Sequence, residues 1–291
     1  MNNKHNISRC YLCGEKNFKM RQGKVRDNPS LKIAECTSCG LVFLSSFSHI
    51  KRGFYENSGM HEGKINIEQW LKETENDDKR RFSYFKRLLM KKDVLDFGCG
   101  AGGFLALAKE VAANVVGVEP EISLKRHFKK HSLKTFRNID KVSGYFDVIT
   151  LFHVLEHMPD PCDILKKLMK NLKKNGRIII EVPSADDALL TLYENEAFSR
   201  FTYWSCHLFL FNVKTLAELA RQAGLQVNYI KQIQRYPLSN HLHWLAKGKP
   251  GGHKTWNFLD SIELNNAYEK QLASIGACDT FIGSFSKREL K

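Results

Sequence analysis

The stretch Val94-Leu95-Asp96-Phe97-Gly98-Cys99-Gly100-Ala101-Gly102-Gly103 constrains the fold of this chain more than any other. An apolar run of strand length meets a cluster of glycines, and an apolar helical stretch follows. Glycine tolerates the positive φ and the close backbone approach such a turn needs, and the first amides of the next helix favour an anionic group. A second acid, Glu119, ends the next apolar run, Val115-Val116-Gly117-Val118. In a doubly wound sheet that is the place where ribose hydroxyls are bound.

Two cofactor classes compete for the turn, because Gly98, Gly100 and Gly103 also spell the dinucleotide pattern G-x-G-x-x-G. Asp96 shifts the balance. A carboxylate at the end of a buried strand is costly unless it meets a partner. S-adenosylmethionine brings an ammonium near that point, whereas a dinucleotide brings phosphates that the acid opposes.

Here the chain resembles the class I S-adenosylmethionine-dependent methyltransferases, whose first motif reads like Val94 to Gly102. The resemblance continues in order through Glu119, Phe146-Asp147-Val148-Ile149-Thr150, Val154-Leu155-Glu156-His157-Met158-Pro159-Asp160-Pro161 and Leu172 to Pro183. It implies that Asp96, Gly98, Cys99, Gly100, Gly102, Glu119 and Phe152 bind the cofactor, with Asp140 near the adenine. It also implies an α/β fold with a doubly wound, Rossmann-like methyltransferase sheet.

The residues agree with that fold class independently. Strands are predicted near 93–97, 115–119, 146–151, 177–182 and 226–232, and helices near 103–112, 122–130, 162–171 and 214–223, with Gly224 as a helix stop. Right-handed crossovers through this alternation build a parallel sheet covered on both faces. Residues 184–211 interrupt the alternation, where the family commonly places substrate contacts.

Four of the eight cysteines fall as Cys10-x2-Cys13 and Cys36-x2-Cys39. Each pair suits a tight knuckle, eased by Gly14 and Gly40, and four thiolates close a tetrahedral structural zinc site. Disulfides are the competing reading. Cys99, Cys162, Cys206 and Cys278 are scattered. The arrangement resembles a bacterial group in which a four-cysteine ribbon precedes a methyltransferase domain, including sugar methyltransferases. Gly40-Leu41-Val42-Phe43 and Gly53-Phe54-Tyr55-Glu56 match its pattern, which makes Tyr55 a candidate substrate contact. The expected organisation is a zinc ribbon over 1–50, a helical linker or lid over 51–92, the core over 93–236, and a helical C-terminal extension over 237–291.

Within the linker, a helix is predicted from about 65 to 90. Its middle, Glu73 to Arg81, is too charged to bury and reads as a solvated face. In the extension, Gly248-Lys249-Pro250-Gly251-Gly252-His253 reads as a turn before a packing helix, with a phosphate-binding loop as the alternative.

In-line positioning supplies much of methyl transfer, but a nucleophile that carries a proton needs a base. His153, Glu156 and His157 follow the fourth core strand at the sheet's carboxyl edge, where a helical turn would put the two histidines on one face. His157 is the favoured base. A packing role for Glu156-His157 stays open. A divalent ion also stays open, because ubiquinone-pathway O-methyltransferases and plant small-RNA 2′-O-methyltransferases bind one with a similar acid-histidine pair, although they carry an acid where this chain has His153. His207 completes either arrangement or is a hydrogen-bonded histidine. Tyr203 is a second candidate substrate contact, or a core aromatic.

With 291 residues, 26% charged and 43% hydrophobic, the chain is globular, and no apolar run approaches a membrane span. The polar start Met1-Asn2-Asn3-Lys4-His5, with no apolar signal segment behind it, makes the cytoplasm the expected compartment. A net charge of +14 suits an anionic or nucleotide-linked acceptor, though the lysines are spread along the chain. No Asn-Pro-Pro-Tyr-like tetrapeptide follows Asp147 and no cysteine follows the fourth core strand, which disfavours the familiar routes to base methylation. The expectation is methyl transfer to oxygen or carbon of a small acceptor such as a sugar, nucleotide-sugar or glycan precursor. The rival from another class is a ribbon that binds RNA, alone or as part of an RNA methyltransferase.

Overall fold

The structure, a computed structural model, describes residues 7–61 and 63–288; the polar lead Met1 to His5 lies outside the described residues. Three short strands open it: β1 (Phe18–Met20), β2 (Ile33–Cys36) and β3 (Val42–Leu44). The long helix α1 (Ile67–Leu89) starts at Asn66, whose side chain accepts the Gln69 amide as an N-cap.

The alternating part follows as β4 (Asp93–Phe97), α2 (Gly103–Lys109), β5 (Asn114–Val118), α3 (Lys125–Lys130), β6 (Thr135–Phe136), β7 (Phe146–Phe152), α4 (Pro161–Lys170) and β8 (Leu172–Pro183). Val94, Leu95, Ile149, Leu151, Ile178 and Ile180 are at most 0% exposed, the consequence of apolar runs covered on both sheet faces. Asp160 caps α4 with Pro161 behind it, the start a proline permits.

Between strands and helices of the core come α5 (Ala188–Thr191), α6 (Glu196–Thr202) and β9 (Phe209–Leu210). Next are α7 (Val213–Gln222), which opens on an Asn212–Thr215 capping box, and β10 (Leu225–Ile233), separated by Gly224 at φ +88°. The chain ends in α8 (Leu238–Lys247), α9 (Gly252–Thr255), α10 (Ile262–Ser274) and β11 (Thr280–Lys287).

The larger sheet is Rossmann-like, in the order β10-β11-β8-β7-β4-β5-β6. Strands β4 to β8 pair in parallel, but β11 runs antiparallel to both β8 and β10, so the sheet is mixed rather than wholly parallel. The predicted helical extension therefore also supplies a strand, with Phe281 and Phe285 fully buried.

The smaller sheet is β1-β2-β3-β9. Its last strand comes from residues 209–210, far along the chain, so the ribbon is sewn onto the segment between β8 and α7.

The charged middle of α1 is a correction. Asp78 and Arg81 are buried, and Arg80 and Arg81 donate to Oε1 of Glu181 at 2.8 and 2.7 Å. Asp77 pairs with Arg235. These charges can leave water because each meets an opposite one, and the partners lie about a hundred residues or more away.

Candidate functional site

At the carboxyl ends of β4 and β5, beside the point where the strand order reverses, lies a hollow of about 370 Å³. Gly98 and Gly100 form its floor at φ +75° and +51°. A Cβ on Gly98 would come within 2.4 Å of Val154 Cγ2, and one on Gly100 within 2.9 Å of the Trp70 ring. Glu119 reaches back to the turn, its Oε2 accepting the Gly100 amide at 2.9 Å and its Oε1 the Glu121 amide at 3.1 Å. Burial lifts this carboxyl to about 7 against those two hydrogen bonds. Asn138, Ile139 and Asp140 line the opposite wall, and Met60, His61 and Trp70 cover the turn.

Asp96, Cys99 and Gly102 support the floor rather than line it. Asp96 is 3% exposed and accepts the Thr150 hydroxyl at 2.6 Å, and burial raises it to about 7. Phe152 departs from the expectation. It faces the other side of the sheet, stacked on Phe85 and edge-on to Phe104 at 4.8 Å, because strand residues alternate faces. Tyr203 is also elsewhere, beside a separate hollow with Arg21 and Glu35. Tyr55 does line the main hollow and donates to the His157 carbonyl at 2.8 Å.

The hollow fits the cofactor the glycine turn implies. It combines a backbone approach open only to glycine, an acid at the ribose position, apolar walls from Phe97, Val118 and Ile139, and a buried acid below. Trp70, Met60, His61, Glu121 and Arg137 also line it, and sequence reasoning had singled out none of them for this role. Their only signal was the apolar spacing of Trp70 in α1.

Beyond β7 the histidines converge without a helix. His153 sits at φ +55°, and only Leu155–His157 forms a 3-10 turn, so the predicted shared helical face is replaced by a bend. Nδ1 of His157 lies 2.7 Å from the Cys206 carbonyl, which can only accept. That fixes the proton on Nδ1 and leaves Nε2 with a lone pair, 4.0 Å from Oε1 of Glu156. Nε2 of His153 lies 3.2 Å from the Arg235 guanidinium and 3.1 Å from Oε1 of Glu181, and its Nδ1 lies 3.3 Å from Oε1 of Glu156, so the ring bridges the two buried carboxylates.

Glu156 is fully buried, and neither of its carboxylate oxygens has a hydrogen-bond partner. Burial opposes its ionisation, but the neighbouring histidines outweigh burial and hold it below the usual range. Burial keeps His157 neutral and pushes His207 down to about 3. The His207 ring stands 5.1 Å from that of His157, and its Nδ1 has no partner. Ligand atoms of Glu156, His157 and His207 lie within 4.8 Å of one another. The cluster therefore has hydrogen-bond acceptors in excess.

The cysteine pairs converge as expected. The four Sγ atoms lie within 4.8 Å of one another, with Cys10–Cys39 and Cys13–Cys36 both at 3.5 Å. Zn–S bonds of about 2.3 Å give a tetrahedral edge of roughly 3.8 Å, and a disulfide needs about 2.05 Å, so the spacing fits structural zinc. Gly14 and Gly40, at φ +74° and +80°, return amides to the Cys10 and Cys36 carbonyls at 2.9 Å.

The ribbon is wired to the histidines. Asp27 accepts the Ser205 amide at 2.9 Å and hydroxyl at 2.6 Å, His49 meets the Ser205 carbonyl at 2.7 Å, and the next carbonyl, of Cys206, orients His157.

A family model described as a methyltransferase domain matches residues 70–230, more than half of the chain. The ubiquinone biosynthesis O-methyltransferase of Pseudomonas aeruginosa (strain UCBPP-PA14) is 26% identical over 168 residues, covering 53% of this chain and 72% of that protein. The mitochondrial enzyme of the same description from Schizosaccharomyces pombe is 29% identical over 188 residues, 59% of this chain and 69% of that protein. Among solved structures, the Burkholderia thailandensis 1,6-didemethyltoxoflavin-N1-methyltransferase superposes with a TM-score of 0.53 at 15% identity, covering 92% of this chain and 100% of that one. A Thermotoga maritima S-adenosylmethionine-dependent methyltransferase gives 0.52 at 18% identity, covering 81% and 100%. At these identities the two structures speak to the fold.

Proposed function

Because the chain belongs to the methyltransferase-domain family and is an S-adenosylmethionine-dependent methyltransferase, we propose that it methylates an oxygen of a small hydroxylated acceptor, with His157 as the base. One observation carries the reading: the glycine floor, Glu119 and His157 line a single hollow. S-adenosylmethionine supplies an activated methyl there. Glu119 would hold the ribose and Gly98 and Gly100 would admit the cofactor's backbone-close edge, with Asp140 near the adenine. The acceptor hydroxyl gives its proton to Nε2 of His157, and the unpartnered Glu156 carboxylate stabilises the imidazolium so formed. Tyr55, bonded to the His157 carbonyl, helps fix the ring.

The description of the relatives as O-methyltransferases supports oxygen as the acceptor atom, and none of the relatives named above is described as acting on a sugar. No helix among the described residues is long and apolar enough to cross a membrane. All eight cysteines are free of disulfides, which supports a reducing compartment such as the cytoplasm.

A second reading rests on the third donor. Glu156, His157 and His207 would suit a divalent ion, which supplies Lewis acidity toward an acceptor hydroxyl.

Labelled-methyl transfer to a panel of hydroxylated metabolites separates these. With His157 as base, His157→Ala lowers the rate by about 10²-fold or more while S-adenosylhomocysteine affinity stays within about 2-fold; an unchanged rate rejects the role. A saturable rise in rate with added Mn²⁺ that His207→Ala abolishes selects the metal reading instead.

A further inference from the structure

A second chamber, of about 360 Å³, adjoins the cofactor hollow at His153. His153 lines both spaces, His157 faces the first and His207 the second. We propose that this chamber is the acceptor site and that it takes a flat aromatic hydroxy acid, with the reacting hydroxyl at the histidines and the acid group at Arg26. The proposal rests on the methyltransferase reading and narrows it.

Aromatic side chains line much of the chamber. Phe198 and Phe201 of α6 meet Trp244 of α8 at 5.2 and 5.3 Å, and Trp204 stands 5.4 Å from His207 and 6.0 Å from His157. Phe201 is 47% exposed at the rim, an aromatic face left unburied beside the chamber. Trp244 comes from beyond the segment the family model matches, so this chain's own extension helps shape the chamber.

Several of the polar groups around the chamber are already engaged with one another. Asp279 accepts the Arg235 and Tyr236 amides and Gln234. Oδ1 of Asn240 accepts the Gly251 amide at 3.3 Å and meets His253 at 3.2 Å, while His241 bonds Tyr268 at 2.7 Å. Burial and the charge of Asp279 push the Asp187 carboxyl well above the usual carboxylate range. A sugar ring, with a hydroxyl on nearly every carbon, would leave the hydroxyls that face the aromatic side chains unmet. A flat ring with one or two polar substituents would not, and it gains stacking contacts.

Charge sets the orientation. The Arg26 guanidinium lies over Trp204 at 4.7 Å and Phe201 at 5.6 Å, and its hydrogen bond goes to the Phe201 carbonyl at 3.2 Å. It therefore presents an exposed cation beside Trp204 and Phe201. In the transfer, the acceptor hydroxyl reaches past His153 into the cofactor hollow, its O–H bond breaks toward Nε2 of His157, and the oxygen forms a bond to the sulfonium methyl carbon. The carbon–sulfur bond breaks with its electrons left on sulfur, giving the methyl ether and S-adenosylhomocysteine.

The test uses the full chain saturated with S-adenosylhomocysteine, with 3,4-dihydroxybenzoate and UDP-glucose as probes. Titration of the dihydroxybenzoate should be saturable and should quench tryptophan fluorescence. Phe201→Ala and Arg26→Gln, both at exposed positions, should each weaken it by about 10-fold without moving S-adenosylhomocysteine affinity. Binding of UDP-glucose in place of the benzoate overturns the proposal, as does benzoate binding that neither variant alters. If S-adenosylhomocysteine binds and neither probe does, this assignment alone fails; if it does not bind, the underlying reading fails with it.

Discussion

Replacing Gly98 by alanine tests the glycine floor in two separable ways. Gly98 sits at φ +75°, where a side chain costs about 1–2 kcal/mol. Its added Cβ would also come 2.4 Å from Cγ2 and 2.9 Å from Cγ1 of Val154, a side chain that is 7% exposed and lines the hollow. Overpacking of this kind costs about 1–3 kcal/mol, so Gly98→Ala should lose about 2–5 kcal/mol. Gly144 is the control: it has φ +104° and open space around its Cβ position, so Gly144→Ala should show the backbone cost alone. Urea unfolding of both variants, with S-adenosylhomocysteine titrations alongside, reads the difference. Because Val154 can yield only toward the hollow or the core, Gly98→Ala should also weaken cofactor binding, whereas Gly144→Ala should not. Equal stability losses in the two variants, with affinity intact in both, would refute the reasoning.

Other consequences follow from the same geometry. Asp27→Ala removes two hydrogen bonds to Ser205, whose backbone carries His157 through Cys206, so it should cost about 1–2 kcal/mol and lower kcat at least 10-fold with little change in cofactor affinity; undiminished kcat would uncouple ribbon from site. Burial raises Glu119 and Asp96 to about 7 in the free protein, and ribose hydroxyls and an ammonium favour the ionised forms. Binding should then release protons, and calorimetric affinity should fall as pH drops from 8 to 6, by up to about 10-fold per group; a flat profile contradicts this. Cys36→Ser should abolish the single bound zinc in native mass spectrometry and destabilise the ribbon, and full zinc retention would remove Cys36 from the ligand set.

The glycine turn, Glu119 and both cysteine pairs were legible because each depends on local spacing. So were most core elements: β7 and α4 fall within a residue or two of the predicted bounds. What stayed hidden depends on distant partners. The charges of α1 read as solvated because Glu181 and Arg235, which neutralise them, lie far along the chain. Strand β11 carries Gly283 and Ser284 between its aromatics and Ser286 after them, a weak pattern that becomes a strand only between β8 and β10. Phe152 was misplaced by one step of strand parity, since the chain bends into the site only at His153. The aromatic chamber was illegible as a unit because α6, Trp204 and α8 meet only in three dimensions.

The central claim is that the hollow at the ends of β4 and β5 holds the methyl donor. Calorimetry with S-adenosylhomocysteine on the wild-type chain and on Gly100→Arg tests it most directly, with circular dichroism to verify that the variant is folded. Since a side chain at Gly100 must enter the space closed by Trp70, the wild type should bind one equivalent and the folded variant none. Equal affinity in both would place the donor somewhere else.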